Sequence, residues 1–147
     1  MIKIKYDASE CFSYLEKKKG NIHNSLFTAL VKSTALVRET VIDNIKSGQS
    51  KNLGWPPFSS STIASKSKRG RSLKGLVDTG RMMNSIHESV SKTRLQGEVL
   101  PGVNYLQFHE RGTRKIPERQ TFAPVPNQIN SKIMGIFKNE IALGMAL

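Results

Sequence analysis

One stripe of apolar residues constrains the fold more than any other feature of the chain. Ile22, Leu26, Leu30, Val37, Val41 and Ile45 recur at spacings of four and seven, which puts them on one face of an α-helix. Ala29, Ala35 and Leu36 widen the stripe, while Lys32, Arg38, Glu39, Asp43 and Lys46 fall mostly outside it. The pattern predicts a helix over residues 21–47, ended by Gly48. At 1.5 Å per residue that helix is about 40 Å long. A chain of 147 residues builds one small core, so part of the stripe is expected to meet a neighbouring chain. His23, near the start, has no partner at metal-ligand spacing and reads as a surface or capping residue.

The flanks supply the other elements. Ile2, Ile4 and Tyr6 alternate with lysines and predict a short strand over residues 2–6. Phe12 and Leu15 then begin a first helix, whose Lys17-Lys18-Lys19 end complements the dipole and which Gly20 stops. Cys11 is the only cysteine, so no intrachain disulfide forms, and it reads as a small buried apolar residue. The alternation of Ile86 to Val90 and of Leu95 to Val99 predicts an antiparallel hairpin turning near Lys92-Thr93. Val125, Ile129, Ile133, Ile136 and Phe137 predict a last helix from about Pro126 to Gly144, with the proline in its first turn. The fold class that follows is α+β in one domain, residues 1–147. A small antiparallel sheet packs against the long N-terminal helix, a C-terminal helix closes that layer, and a long basic loop interrupts it.

That loop, about residues 48–75, carries much of a net charge of +12. Lys51, Lys66, Lys68, Arg69, Arg71 and Lys74 lie in it without one acid. Such an excess suits polyanions, acidic protein surfaces or simply a solvated face. Trp55-Pro56-Pro57-Phe58 is a stiff aromatic anchor, suited to packing on its own domain or on a neighbour. Residues 60–66 suit a short helix. Mutual repulsion is expected to keep residues 65–74 mobile until a partner orders them. Trp55, Phe58, Lys66, Lys68, Arg69, Arg71 and Lys74 are therefore interface candidates, joined by Arg114 and Arg119 from a second basic cluster.

Residues 76–122 hold a series of short pieces. Asp78 or Thr79 is placed to cap a turn followed by the permissive Gly80 and by apolar Met82, Met83 and Ile86. Tyr105, Leu106, Phe108 and His109 line a second short helix, capped by Asn104 and stopped by Gly112. Ile116-Pro117 restarts the chain as an extended run. Phe122 is expected in the core, with Arg119 reaching a carboxylate or a backbone carbonyl.

The order of these pieces resembles the tail-completion, or virion morphogenesis, proteins of tailed bacteriophages. The matching residues are Val77 to Ile86, Tyr105 to Gly112, and Ile116 to Phe122, preceded by Gly54 to Phe58 with Thr62 and Lys66. Gln120 departs from the pattern, where the family more often has proline, so the approach to a last strand is expected to differ. The resemblance implies a structural protein of the virion, at the head–tail junction or tail end, made in the bacterial host cytoplasm. It implies a ring homo-oligomer, a hexamer among its stoichiometries, around the DNA path. Its partners would be neighbouring neck and tail proteins, with DNA passing through the lumen. No cofactor is implied, and Asp78, Thr79, Gly80, Tyr105, Gly112, Pro117 and Phe122 become structural motif residues.

Chemical motifs point the same way. His109-Glu110 is followed at the critical spacing by Thr113, so it does not begin a helical zinc motif. The sequence has no paired cysteines and no phosphate loop ending in Gly-Lys-Ser or Gly-Lys-Thr. The eleven acids are scattered rather than grouped for metal-assisted hydrolysis. No run approaches the ~20 apolar residues of a membrane span. The sequence thus reads as a non-enzyme without metal or membrane. The competing reading is a basic nucleic-acid-binding module whose cations over residues 66–74 grip phosphates.

Overall fold

The computed structural model describes residues 9–147, with side chains described from residue 13. The predicted strand over residues 2–6, and the readings of Cys11 and Phe12, lie outside that description. The element order is α1 (Ser9–Ser47), α2 (Ser60–Lys68), α3 (Arg81–Asn84), β1 (Ile86–Ser91), β2 (Gln96–Pro101), α4 (Leu106–Arg111) and α5 (Val125–Ala146). The fold is α+β: the long N-terminal helix carries a two-stranded antiparallel sheet and a C-terminal helix.

The predicted long helix ends at Ser47 as its pattern requires, but its start is corrected. Gly20 does not stop a separate first helix; α1 runs through it for 39 residues. One interior glycine costs only about 1 kcal/mol relative to alanine, too little to end a helix whose other residues continue it on both sides. At 1.5 Å per residue α1 is about 58 Å long. Its C-terminal third holds the core. There Val41, Ile45, Met82, Ile86, Val103, Leu106, Val125 and Ile129 form one buried cluster, with Leu36, Val37, Val99, Phe122 and Ile133 packed around it. Full burial of such side chains stabilises by about 1.5–3 kcal/mol each.

The hairpin pairs Ile86 with Pro101 and Ser91 with Gln96 in the predicted antiparallel sense, and turns through Leu95 at φ 48. Only Ile86 of β1 is fully buried. The ribbon is held to α1 by the Arg38 Nε–H, which donates to the Ile86 carbonyl at 3.1 Å, and by a close approach at Gly97. A Cβ there would stand 2.1 Å from the Thr34 hydroxyl oxygen.

Helix α5 begins as expected, with Pro126 in its first turn, and runs antiparallel beside α1. Asn44 and Gln128 exchange amide hydrogen bonds at 2.9 and 3.1 Å near the core end. Lys32 pairs with Glu140 midway. Lys18 Nζ donates to the Met145 carbonyl at 2.8 Å near the far end. The helices almost touch at Gly144, where a Cβ would lie 2.2 Å from Ser25 Oγ. Beyond the core the two helices therefore form an arm with little else against it. Tyr14, Leu15, Met134, Leu143 and Met145 are 59, 54, 51, 60 and 60% exposed on this arm.

Several local expectations change. Neither Asp78 nor Thr79 caps α3 as predicted: Gly80, at φ 81, holds the cap position without a side-chain bond. The Asp78 carboxylate turns back to Arg69 at 2.8 Å instead, and Thr79 Oγ1 makes only a long 3.4 Å contact with the Arg81 N–H. At α4 the cap position is Tyr105 rather than Asn104, and Gly112 stops the helix at φ 67. A six-residue helix has one inward face, which Leu106 and half-buried His109 occupy, so Tyr105 and Phe108 are exposed at 39 and 44%. Phe122 is half-buried at the edge of the core rather than inside it. Residues 112–124 form no strand.

Candidate functional site

The basic loop is folded. Ser59 caps α2, its Oγ accepting from the Thr62 N–H at 3.3 Å. The Trp55 ring lies on Gly48 at the end of α1, and its Nε1–H donates to the Gln120 carbonyl at 2.9 Å. From the other side, Arg119 reaches back across the same turn. One of its terminal nitrogens donates to the Pro56 and Pro57 carbonyls at 3.0 and 3.1 Å. The guanidinium lies 4.8 Å from the centre of the Phe58 ring. Its backbone N–H donates to the His109 carbonyl at 2.7 Å. The expectation that Arg119 finds a carboxylate or a carbonyl is met by carbonyls.

Lys66 is the second buried cation. Its ammonium donates to the carbonyls of Ser72, Gly75 and Val77 at 2.9, 3.1 and 2.9 Å, using all three protons. It lies 5.3 Å from the centre of the same Phe58 ring. Three carbonyls converge because residues 72–77 wrap around one point, helped by the Leu76 N–H donating to the Ile45 carbonyl at 2.7 Å. The expectation of a mobile segment over residues 65–74 is corrected accordingly. Repulsion among its cations is offset by backbone oxygens around Lys66, and by Asp78, which pairs with Arg69 and faces Arg71 at 3.8 Å.

Next to this knot, Glu110 fixes the closing segment. One of its carboxylate oxygens accepts from the backbone N–H and hydroxyl of Thr121 and, at 3.0 Å, from the Phe122 N–H. Thr121 is fully buried, and its carbonyl accepts from the Asn44 amide at 2.8 Å.

Burial acts on the titrating groups here. Desolvation holds the Lys66 ammonium below the usual lysine range; the Asp78 charge opposes this and Arg69 adds to it. Desolvation, and then the Arg119 charge, push His109 below the ordinary histidine value, against the pull of Glu110. Arg119 is lowered by desolvation alone.

These contacts sort the predicted interface residues. Trp55, Lys66 and Arg119 are at most 8% exposed; they are internal struts rather than exposed side chains, and Lys66 and Arg119 reach the outside only along a cavity wall. Phe58 is half-buried between two cations. Lys68, Arg69, Arg71, Lys74 and Arg114 are exposed as expected. The structure brings Phe58, Lys66, Pro117 and Arg119 to one cavity, with Trp55 on the adjoining turn, while Arg114 does not line that cavity. Thr121, Asn44 and Gln128 were not singled out from sequence, and His109 and Glu110 were considered there without these partners. Each acts through partners far along the chain, and no local pattern marks them. Among the described residues no three His, Cys, Asp or Glu side chains gather to hold a metal, and no helix is long and apolar enough to cross a membrane.

No family model and no solved structure matches the chain. It is 33% identical over 106 residues to the uncharacterized protein MJ0331 of Methanocaldococcus jannaschii, covering 69% of this chain and 78% of that protein. The chain belongs to the family of that archaeal protein.

Proposed function

We propose that the chain is a structural component of a tailed-virus particle of the tail-completion type, joining copies of itself into a ring at the head–tail junction or tail end. The observation that carries the reading is the meeting of dispersed segments. The Trp55-Pro56-Pro57-Phe58 turn, the Tyr105 to Gly112 helix and the Ile116 to Phe122 run are the pieces whose order resembles that family. They are tied together by Trp55 to Gln120, Arg119 to Pro56 and Pro57, and Arg119 to His109. The shared pattern then describes one physical unit. Supporting it, the arm of α1 and α5 leaves Tyr14, Leu15, Met134, Leu143 and Met145 half or more exposed, apolar side chains on several sides of the arm that neighbouring copies would cover. Neighbouring neck and tail proteins would meet the basic surface, and DNA would pass the lumen without being gripped.

Native mass measurement and electron microscopy of the purified protein test the reading. The expected result is a closed ring of fixed stoichiometry with weak affinity for free duplex DNA. A monomer that binds duplex DNA with a log–log salt slope near about −5, as for six neutralised phosphates, would replace it with the nucleic-acid-binding module.

A further inference from the structure

Buried charges in proteins are ordinarily matched by opposite charge. Lys66 and Arg119, each 6% exposed, are not: every hydrogen bond they make goes to a neutral backbone carbonyl. Both line one open cavity of about 420 Å³ beside Phe58. Lys115 contributes a third cation to its lining, and no Asp or Glu lies among the lining residues. The nearest acid charge felt by Lys66 is Asp78, which Arg69 and Arg71 already engage. Two polar atoms of residues lining this cavity also lack partners, Arg119 Nε and His109 Nδ1. In a buried setting each such atom is unfavourable until something bonds it. Pro57, Leu76, Ile116 and Pro117 give the wall an apolar side, and Ser59 and Thr62, whose hydroxyls bond each other at 2.8 Å, complete it.

We propose that this cavity is a binding pocket for an acidic peptide segment of a partner protein, in which an Asp or Glu carboxylate faces Arg119, His109 and Lys115 while a flanking apolar side chain lies against Ile116 and Pro117. The carboxylate supplies the missing counter-charge. The apolar wall is what separates such a segment from bare phosphate, which has an anionic head and nothing to place against proline and isoleucine. The pocket and its charge stand whatever ring or particle the chain builds, so the pocket can fail while the virion reading survives, and the reverse.

The test is an NMR titration of the full chain with the capped peptide acetyl-Leu-Asp-Phe-amide, its Asn counterpart, inorganic phosphate and a short DNA duplex. The Asp peptide should move the Arg119 Nε–H and His109 ring signals saturably, with a Kd on the order of 1 mM for so small a ligand. The Asn peptide should bind about tenfold more weakly, since the ionised acceptor is lost. Lys115→Glu should weaken binding about tenfold without altering thermal stability, because the side chain is exposed. Lys138→Glu makes the same charge change on exposed α5 and should leave binding as it was. Equal binding of the two peptides, equal loss in both variants, non-saturating shifts scattered over surface lysines, or tighter binding of phosphate or duplex at the same signals would each overturn the proposal.

Discussion

The turn-rich middle of the molecule, residues 48–122, and the helical arm of α1 and α5 are built on opposite plans. In the middle, buried polar groups are tied to backbone: Lys66 by three carbonyls, Arg119 by two, Glu110 by three donors. In the arm, the links are the exposed Lys32 bridge to Glu140 and a lysine-to-carbonyl bond at Met145, and large apolar side chains face outward. Composition points the other way, since the middle is rich in serine, glycine and lysine and the arm has regular apolar spacing. The difference teaches that convergent carbonyls can fix a polar segment, whereas a helix pair always leaves faces for something else to cover.

Lys66→Met should have the largest effect on the middle. It keeps the bulk and leaves three carbonyls without a donor, so a loss of about 2–4 kcal/mol in denaturant unfolding is expected. A gain in stability would mean that the cost of burying the charge exceeds its bonds, and the carbonyl cage would not be what fixes the loop. Trp55→Phe deletes both the bond to Gln120 and the distal ring atoms that lie on Gly48; about 1–3 kcal/mol should be lost. Asp78→Asn weakens a half-exposed ion pair and should cost less than about 1 kcal/mol; a larger loss would make Asp78 the true anchor of residues 65–74. Met145→Ser on the arm should change monomer stability by less than about 0.5 kcal/mol yet lower self-association in sedimentation. A fall in stability without any change in association would place Met145 in the core instead.

The fold was legible wherever one periodicity ran long enough: the C-terminal end of α1, the hairpin, and Pro126 at the start of α5. Gly20 misled because a glycine stop is a weak local preference, and neighbouring turns override it. The knot around Lys66 was not legible because its ligands are backbone oxygens, which every residue carries. The acid-free window of the loop also closed at Gly75, three residues short of Asp78, so the charge that offsets its cations went uncounted. His109 and Glu110 sat in view as helix and metal-motif residues, but their partners, Arg119 and Thr121, are ten or more residues away along an irregular segment.

Amide hydrogen exchange of the purified chain across a range of protein concentration separates the two regions most directly. Amides of α2, and those of Arg71 and Leu76, whose N–H groups donate to the Lys66 and Ile45 carbonyls, should be protected equally at low and high concentration. Those near Tyr14, Met134 and Leu143 should gain protection as concentration rises. Free exchange over residues 65–74 in the dilute protein, or an arm indifferent to concentration, would contradict the account.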